Sequence, residues 1–302
     1  NWSTAPGLPS IASFMALEPH PLRGVLLLFC SLFFFAALDA TAKQLAATYS
    51  VPLLVWARYL VHCLLMVVLL GPQLGRRLLA TRRPARQVVR ALMLVGCTGC
   101  GIAALARMPL AETTAVAFTA PLLVAILAGP WLGERLPPGR WLAVIGGFLG
   151  VLLIARPGGA ASADGIALAL LAAACYAVYQ ILTRQLAPGE NTLTMLFYTA
   201  LVGTLTMSVF LPWFWQAPAT IPAGDLAAIF ALGVLGGCGH FLLIRAFRHA
   251  PASLLSPFIY LQLVWAIALG AIVFGNWPDF PSLLGMAIIV GSGSSLALRL
   301  KR

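Results

Sequence analysis

The chain has 302 residues, 61% of them hydrophobic and only 9% charged, with a mean hydropathy of +0.96. That balance excludes a soluble globular domain of this length. The net charge of +11 would fit a nucleic-acid binder in a soluble protein, but here the cations follow the ends of apolar stretches, which argues against nucleic acid as a partner.

Residues 1–22 lack a basic start and an apolar core, so they read as a cytoplasmic N-terminal tail rather than a signal peptide. Apolar stretches then follow at 23–45, 51–70, 88–107, 111–131, 140–155, 164–186, 192–212, 224–248, 252–274 and 281–298. A hydrocarbon core of about 30 Å takes roughly 20 helical residues to cross. No water is present there to satisfy a free backbone, so each stretch is expected to be a helix. The fold class expected is therefore an all-α integral membrane protein of ten transmembrane helices. The stretch 140–155 is short and is expected to extend back toward Gly139.

Short loops rich in Lys and Arg stay in the cytoplasm. Arg76, Arg77, Arg82, Arg83, Arg86 and Arg90 crowd the connection between the second and third stretches. Placing it inside leaves only Lys43, Arg58, Arg107 and Arg156 of the 19 cations toward the exterior. Both termini are then cytoplasmic, in a bacterial inner membrane.

The sequence repeats with a shift of 141 or 142 residues. Gly24, Leu27, Ala36, Gln44 and Leu45 recur as Gly165, Leu168, Ala177, Gln185 and Leu186, with Lys43 against Arg184. Pro109 and Gly133 recur as Pro251 and Gly275. Each unit, 23–155 and 164–300, holds five stretches, and an odd number of crossings turns the second copy upside down. Inverted repeats are a signature of carriers, whose halves exchange conformations around a central site.

Polar groups inside apolar spans are costly unless they face partners or a water-filled cavity. Asp39 and Lys43 lie four apart on one helical face, where they can pair, and Arg58 enters the next span on the same side. Two readings stand: an ion-pair cluster joining the first two spans, or a gate. Tyr176, Tyr179 and Gln180 carry polar tips on apolar bodies, which suit either a cavity wall or hydrogen bonds between helices. His62 and His240 are embedded histidines, and His240 follows Gly236, Gly237 and Gly239, where backbone and solute can approach closely. Tyr260, Gln262 and Trp265, with Phe118 at the matching place of the first copy, suit an aromatic or neutral amphipathic solute or plain packing.

Pro109, Pro121, Pro251 and Pro257 are expected to mark hinges or kinks, and Trp131, Trp213, Trp215 and Trp277 to form an interfacial belt. The six cysteines fall inside spans, so no disulfide framework is expected. Cys97 and Cys100 have metal-like spacing, but Gly96, Gly99 and Gly101 around them read as close helix packing. No phosphate loop, nucleophile elbow or paired catalytic carboxylates appear, so no enzyme activity, metal or cofactor is expected.

Three local patterns complete the picture: Asp39 to Leu45 (DATAKQL), the AETTA run from Ala111 with Trp131-Leu-Gly-Glu134 closing the fourth span, and the Pro251-Ala-Ser to Pro257 run leading to Gly275. In these residues the chain resembles the drug/metabolite transporter superfamily, in its ten-helix EamA-type branch, over 23–300. The resemblance implies a monomeric secondary carrier exporting small metabolites by alternating access. Its cavity would lie between the first, third, fourth, sixth, eighth and ninth spans. Among such carriers the chain is most similar to YddG-like aromatic amino-acid exporters, which implies aromatic or other neutral amino acids as substrate. Export of cationic drugs or nucleotide sugars, a channel, and an integral-membrane enzyme are the alternatives. The second copy departs from the pattern with Asn276 in place of Glu134, so Glu134 reads as a surface partner of Arg135 or Arg140.

Overall fold

The computed structural model describes residues 21–132, 138–156, 159–186, 189–215, 220–249 and 255–299, and the regular structure among them is helical. The helices are α1 (Pro21–Leu45), α2 (Val51–Leu74), α3 (Pro84–Leu105), α4 (Leu110–Ala117), α5 (Ala120–Leu132), α6 (Pro138–Ile154), α7 (Ala163–Leu186), α8 (Thr192–Phe210), α9 (Ala223–His249), α10 (Gln262–Phe274) and α11 (Phe280–Arg299). Short 3₁₀ turns run over Gly75–Leu79, Leu211–Trp213 and Ser256–Leu261. Most of the expected tail, Glu134, Arg135 and Pro251 lie outside the described residues, as does the side chain of Arg140.

Local chemistry sets the ends. Ser50 is extended ahead of α2, with proline in the first turn, where a missing N–H costs nothing. Asn191 Oδ1 accepts from Leu193 N–H (2.8 Å) and caps α8. At the end of α10 the chain turns through Gly275 at φ +67°, and Asn276 N–H donates to the Gly270 carbonyl (3.0 Å). Glycine adopts this left-handed cap without a Cβ penalty.

The expected fourth span is not one helix. α4 stops at Ala117 because Pro121 has no N–H for that carbonyl and its ring crowds the turn. Phe118 N–H and Thr119 N–H close back onto Thr114, Ala115 and Val116, and the Thr119 hydroxyl also donates to Val116 O (2.8 Å). Pro109 caps α4 rather than kinking a helix. α6 extends back past Gly139 to Pro138.

Six helices are long and apolar enough to cross a membrane, Leu22–Leu45, Val51–Leu74, Pro84–Leu105, Ala163–Thr183, Thr192–Trp213 and Ala223–Leu243; shorter apolar helices lie at Leu110–Val124, Val144–Ile154, Phe258–Phe274 and Phe280–Ser295. Their outer faces carry bare Val68, Leu152 and Ile272, and Trp213 and Trp277 stand exposed near helix ends. Such a surface belongs against lipid, with the tryptophans at its borders. The chain is a multi-pass membrane protein.

The α1–α2, α3–α4, α6–α7, α8–α9 and α10–α11 connections gather at one end. Lys43 Nζ donates to the carbonyls of Leu105 (2.7 Å) and Met108 (2.8 Å) and lies 5.5 Å from the Phe274 ring centre. Arg107 pairs with Asp164 (2.8 Å), Arg156 with Asp279, and Tyr49 O–H with Asp225 Oδ2 (2.7 Å). Ser50 Oγ donates to the Phe214 carbonyl (2.9 Å). α1 therefore runs toward this end, and α7, which begins beside Asp164, runs away from it.

The most extensive helix pairings recur when the halves are exchanged. α1 lies along α9 as α7 lies along α3, α2 meets α9 as α8 meets α3, and α1 meets α10 as α7 meets α5. α6 packs on α11, α2 on α8 and α4 on α10. Lipid tails are as apolar as leucine, so such pairs depend on close fit. Gly203 makes room for the Tyr59 ring and Gly239 for Phe35, each leaving under 3 Å where a Cβ would stand.

Candidate functional site

A cavity opens between α2, α3, α7, α8 and α9, lined by Arg58, Tyr59, His62, Leu94, Tyr179, Thr199, Gly236 and His240 among others. Only about 10 Å³ of it is open to the centre of a water, room for about one molecule, so this conformation is nearly closed around the space. Four expected site residues meet there: Arg58, His62, Tyr179 and His240. His62 and His240 lie with ring centres 6.5 Å apart and planes within 10°, and Tyr179 faces them from α7. Phe35 packs edge-on against His240 at 5.0 Å.

Arg58 belongs to the same wall. Its Nε lies 3.5 Å from where a Cβ on Gly236 would stand. Arg58, His62 and His240 have no hydrogen-bond partner among the described residues. Asp39 Oδ2 accepts from Gln262 Nε2 (3.3 Å). The pair between Asp39 and Lys43 that their spacing permits is not formed, because Lys43 reaches the carbonyl end of α3 instead. That end carries unsatisfied carbonyls and the negative end of the helix dipole, which hold an ammonium well.

The other expected residues form separate contacts. Tyr176 stacks on Tyr179 at 5.7 Å, and Gln180 is half-buried beyond them. Phe118 and Tyr260 do meet, edge-to-face at 5.1 Å. Trp265 instead sits between Phe29 and Phe33 of α1, 5.0 Å from each, on the side where both phenylalanines are exposed.

Arg90 was not expected here. Its place in an arginine-rich run reads as a cytoplasmic loop cation, yet it is 1% exposed inside the bundle. Its guanidinium donates to Gln87 Oε1 (3.4 Å), Thr183 Oγ1 (3.3 Å), Thr199 Oγ1 (2.9 Å) and the Met195 carbonyl. It also lies 5.0 Å from the Tyr179 ring centre. The sequence signal was its spacing: Arg90 is one helical turn beyond Arg86, past the Pro84 that opens α3.

Tyr59 and Glu112 were also passed over. Tyr59 shares hydrogen bonds with Thr98 Oγ1 (2.9 Å) and the Leu94 carbonyl (3.1 Å), tying α2 to α3. Glu112 is 3% exposed in the first turn of α4, its Oε2 unpartnered among the described residues, and its charge acts on Lys43.

Chemically, the cavity offers nitrogen donors from two rings and a guanidinium, an aromatic face and a bare glycine wall. That combination holds a polar solute carrying a flat apolar part. Among the described residues no group of His, Cys, Asp and Glu is placed to hold a metal ion.

The profile of the EamA-like transporter family matches residues 22–156 and again 163–296. The S-adenosylmethionine uptake transporter of Rickettsia conorii is 30% identical over 216 residues, 72% of each chain. The pseudopaline exporter CntI of Pseudomonas aeruginosa is 30% identical across 88% of this chain and 93% of its own. The riboflavin transporter of Vibrio cholerae is 29% identical across 91% and 93%. A crystal structure 22% identical in sequence superposes over 92% of this chain and 97% of its own with a TM-score of 0.65, so the two share a fold. With its profile matched twice, once in each half, the chain belongs to the EamA-like transporter family.

Proposed function

We propose that this protein is a secondary carrier of ring-bearing, amino-acid-like metabolites working by alternating access. The observation that carries the reading is the recurrence of the main helix pairings in both halves around a cavity to which both contribute. Such an arrangement has a mirror state of similar energy, reached when each half adopts the packing of the other. We read the ten apolar segments as ten crossings, α4 with α5 and the Ser256–Leu261 turn with α10 each making one, and the halves as inverted repeats.

The orientation proposed is both termini in the cytoplasm of a bacterial inner membrane, with the chain acting as a monomer. The end that carries Lys43, Arg107, Arg156 and Asp279 then faces outward and is the closed one, laced by ion pairs between halves.

An aromatic amino acid is the smallest solute of this class, and we propose its export. Its ring suits Tyr179 and the His62 and His240 pair. S-adenosylmethionine, carried by one relative, joins the same amino-acid end to an adenine ring, and riboflavin, carried by another, brings a flat ring system. A cationic drug fits poorly, because Arg58 and Arg90 repel it and Asp39 is already engaged by Gln262.

Proteoliposomes preloaded with unlabelled solute test this by counterflow with labelled phenylalanine, threonine, S-adenosylmethionine and riboflavin. Transient accumulation of phenylalanine or S-adenosylmethionine is expected. Linear, non-saturating flux, or none of either, overturns the reading.

A further inference from the structure

We propose that Arg58, backed by the buried charge of Arg90, forms an anion subsite that seats the carboxylate of the solute. This rests on the carrier reading above and names the part of the solute that the cavity recognises.

Three donor side chains, Arg58, His62 and His240, line one space without a hydrogen-bond partner among the described residues. Donors left bare inside a membrane bundle are costly, and a cation is the costliest of them. A neutral wall would not collect them. A ligand that brings oxygen acceptors and negative charge satisfies all three.

Arg90 sets the sign of the field. It is held on every side by neutral acceptors, Gln87, Thr183, Thr199 and the Met195 carbonyl, with no carboxylate in ion-pair range among the described residues. Its charge is thus fixed and unneutralised, separated from the cavity by Tyr179 and Thr199, both of which line it. The Thr199 hydroxyl gives its own proton to Met195 O (3.0 Å) while accepting from Arg90, so the guanidinium is held in place and is not itself offered to a ligand.

Arg58 is the unbonded partner, its guanidinium 6.0 Å from the Tyr59 ring centre. It makes no hydrogen bond among the described residues, and its Nε lies against Gly236, where the missing side chain leaves the guanidinium approachable. A carboxylate placed between Arg58 and the two imidazoles meets donors on three sides and the Arg90 field behind them.

The test compares four probes that share one ring, binding to the full chain in lipid nanodiscs by calorimetry: 3-phenylpropionate, L-phenylalanine, L-phenylalaninamide and 2-phenylethylamine. The two carboxylates are expected to bind, with the amide and the amine at least about tenfold weaker, the range of a lost charge-assisted hydrogen bond. Arg58→Gln abolishes that preference, and Arg58→Lys restores part of it. Equal or tighter binding of the amine, no binding of either carboxylate, or an unchanged preference in Arg58→Gln overturns the subsite. The preference within the wild type decides the matter even where a variant fails to fold. Binding without counterflow would refute the carrier reading and leave the subsite standing, so the two failures are told apart.

Discussion

Gly150 and Gly285 meet backbone to backbone where α6 crosses α11. A Cβ on Gly150 would stand 2.7 Å from the Gly285 carbonyl oxygen, and one on Gly285 would stand 2.6 Å from that of Gly150. The contact is reciprocal: a carbon added to either glycine would meet the carbonyl of the other. Backbone cannot swing aside as a side chain can, so the crossing tolerates only hydrogen at both places.

Gly150→Ala or Gly285→Ala is therefore expected to destabilise the bundle by about 1–3 kcal/mol, the cost of overpacking a tight contact. Gly101→Ala, where nothing lies within 4 Å of the added carbon, provides the control. Thermal unfolding in detergent checks it: equal midpoints for all three variants would show that the crossing is not tight.

Arg90→Met leaves Thr183, Thr199 and Gln87 without their donor inside the bundle. A loss of about 2–4 kcal/mol is expected, in the range for a broken buried network. Arg90→Lys should recover little, since an ammonium cannot span the fork of acceptors that the guanidinium reaches. Unfolding midpoints measured in one detergent read both losses, and a wild-type midpoint for the methionine variant would contradict them.

At the end that gathers the connections, Arg156 bonded to Asp279, followed by Ser282, holds that carboxyl down at about 2. A depressed carboxylate contributes stability above its unfolded value near 3.8 and loses it as pH falls toward the folded one. The difference in stability between wild type and Asp279→Asn is thus expected to stay constant from pH 8 to pH 5, then shrink toward pH 2. The pair is exposed and screened by salt, so the difference should also fall as ionic strength rises. A difference that changes between pH 6 and pH 8 would point to another titrating partner.

Much of this architecture is legible in residue order. Apolar length finds the six helices long enough to cross a membrane and the shorter apolar ones, and the shift that matches Lys43 to Arg184 falls in step with the two profile matches, because both depend on local composition. What spacing cannot report is the neighbour on another helix. Asp39 and Lys43 share a face, but the carbonyls at Leu105 and Met108 compete for the ammonium and win. Arg90 looks like its loop neighbours until α3 carries it a turn deeper than Arg86, under α7 and α8. Trp265 and Gln262 lie three apart, yet one faces Phe29 and Phe33 and the other Asp39. Pro121 did signal a break in the fourth span, although its effect is a new helix start rather than a hinge within one.

The Tyr260 hydroxyl is a costly group where it stands. It is buried without a hydrogen-bond partner among the described residues, pressed toward Gly293, and its ring meets Phe118. An unpaired buried hydroxyl costs about 1–3 kcal/mol, so Tyr260→Phe should raise stability by about 1 kcal/mol if packing were all that mattered. Retention of the hydroxyl has a reason if it finds its acceptor in another state of the cycle, when the α4–α5 break and the Ser256–Leu261 turn shift against each other. Tyr260→Phe is then expected to melt higher than wild type while slowing counterflow. A variant that is both more stable and fully active would assign the hydroxyl no part in transport, and one that melts lower would show that a partner exists in the resting state.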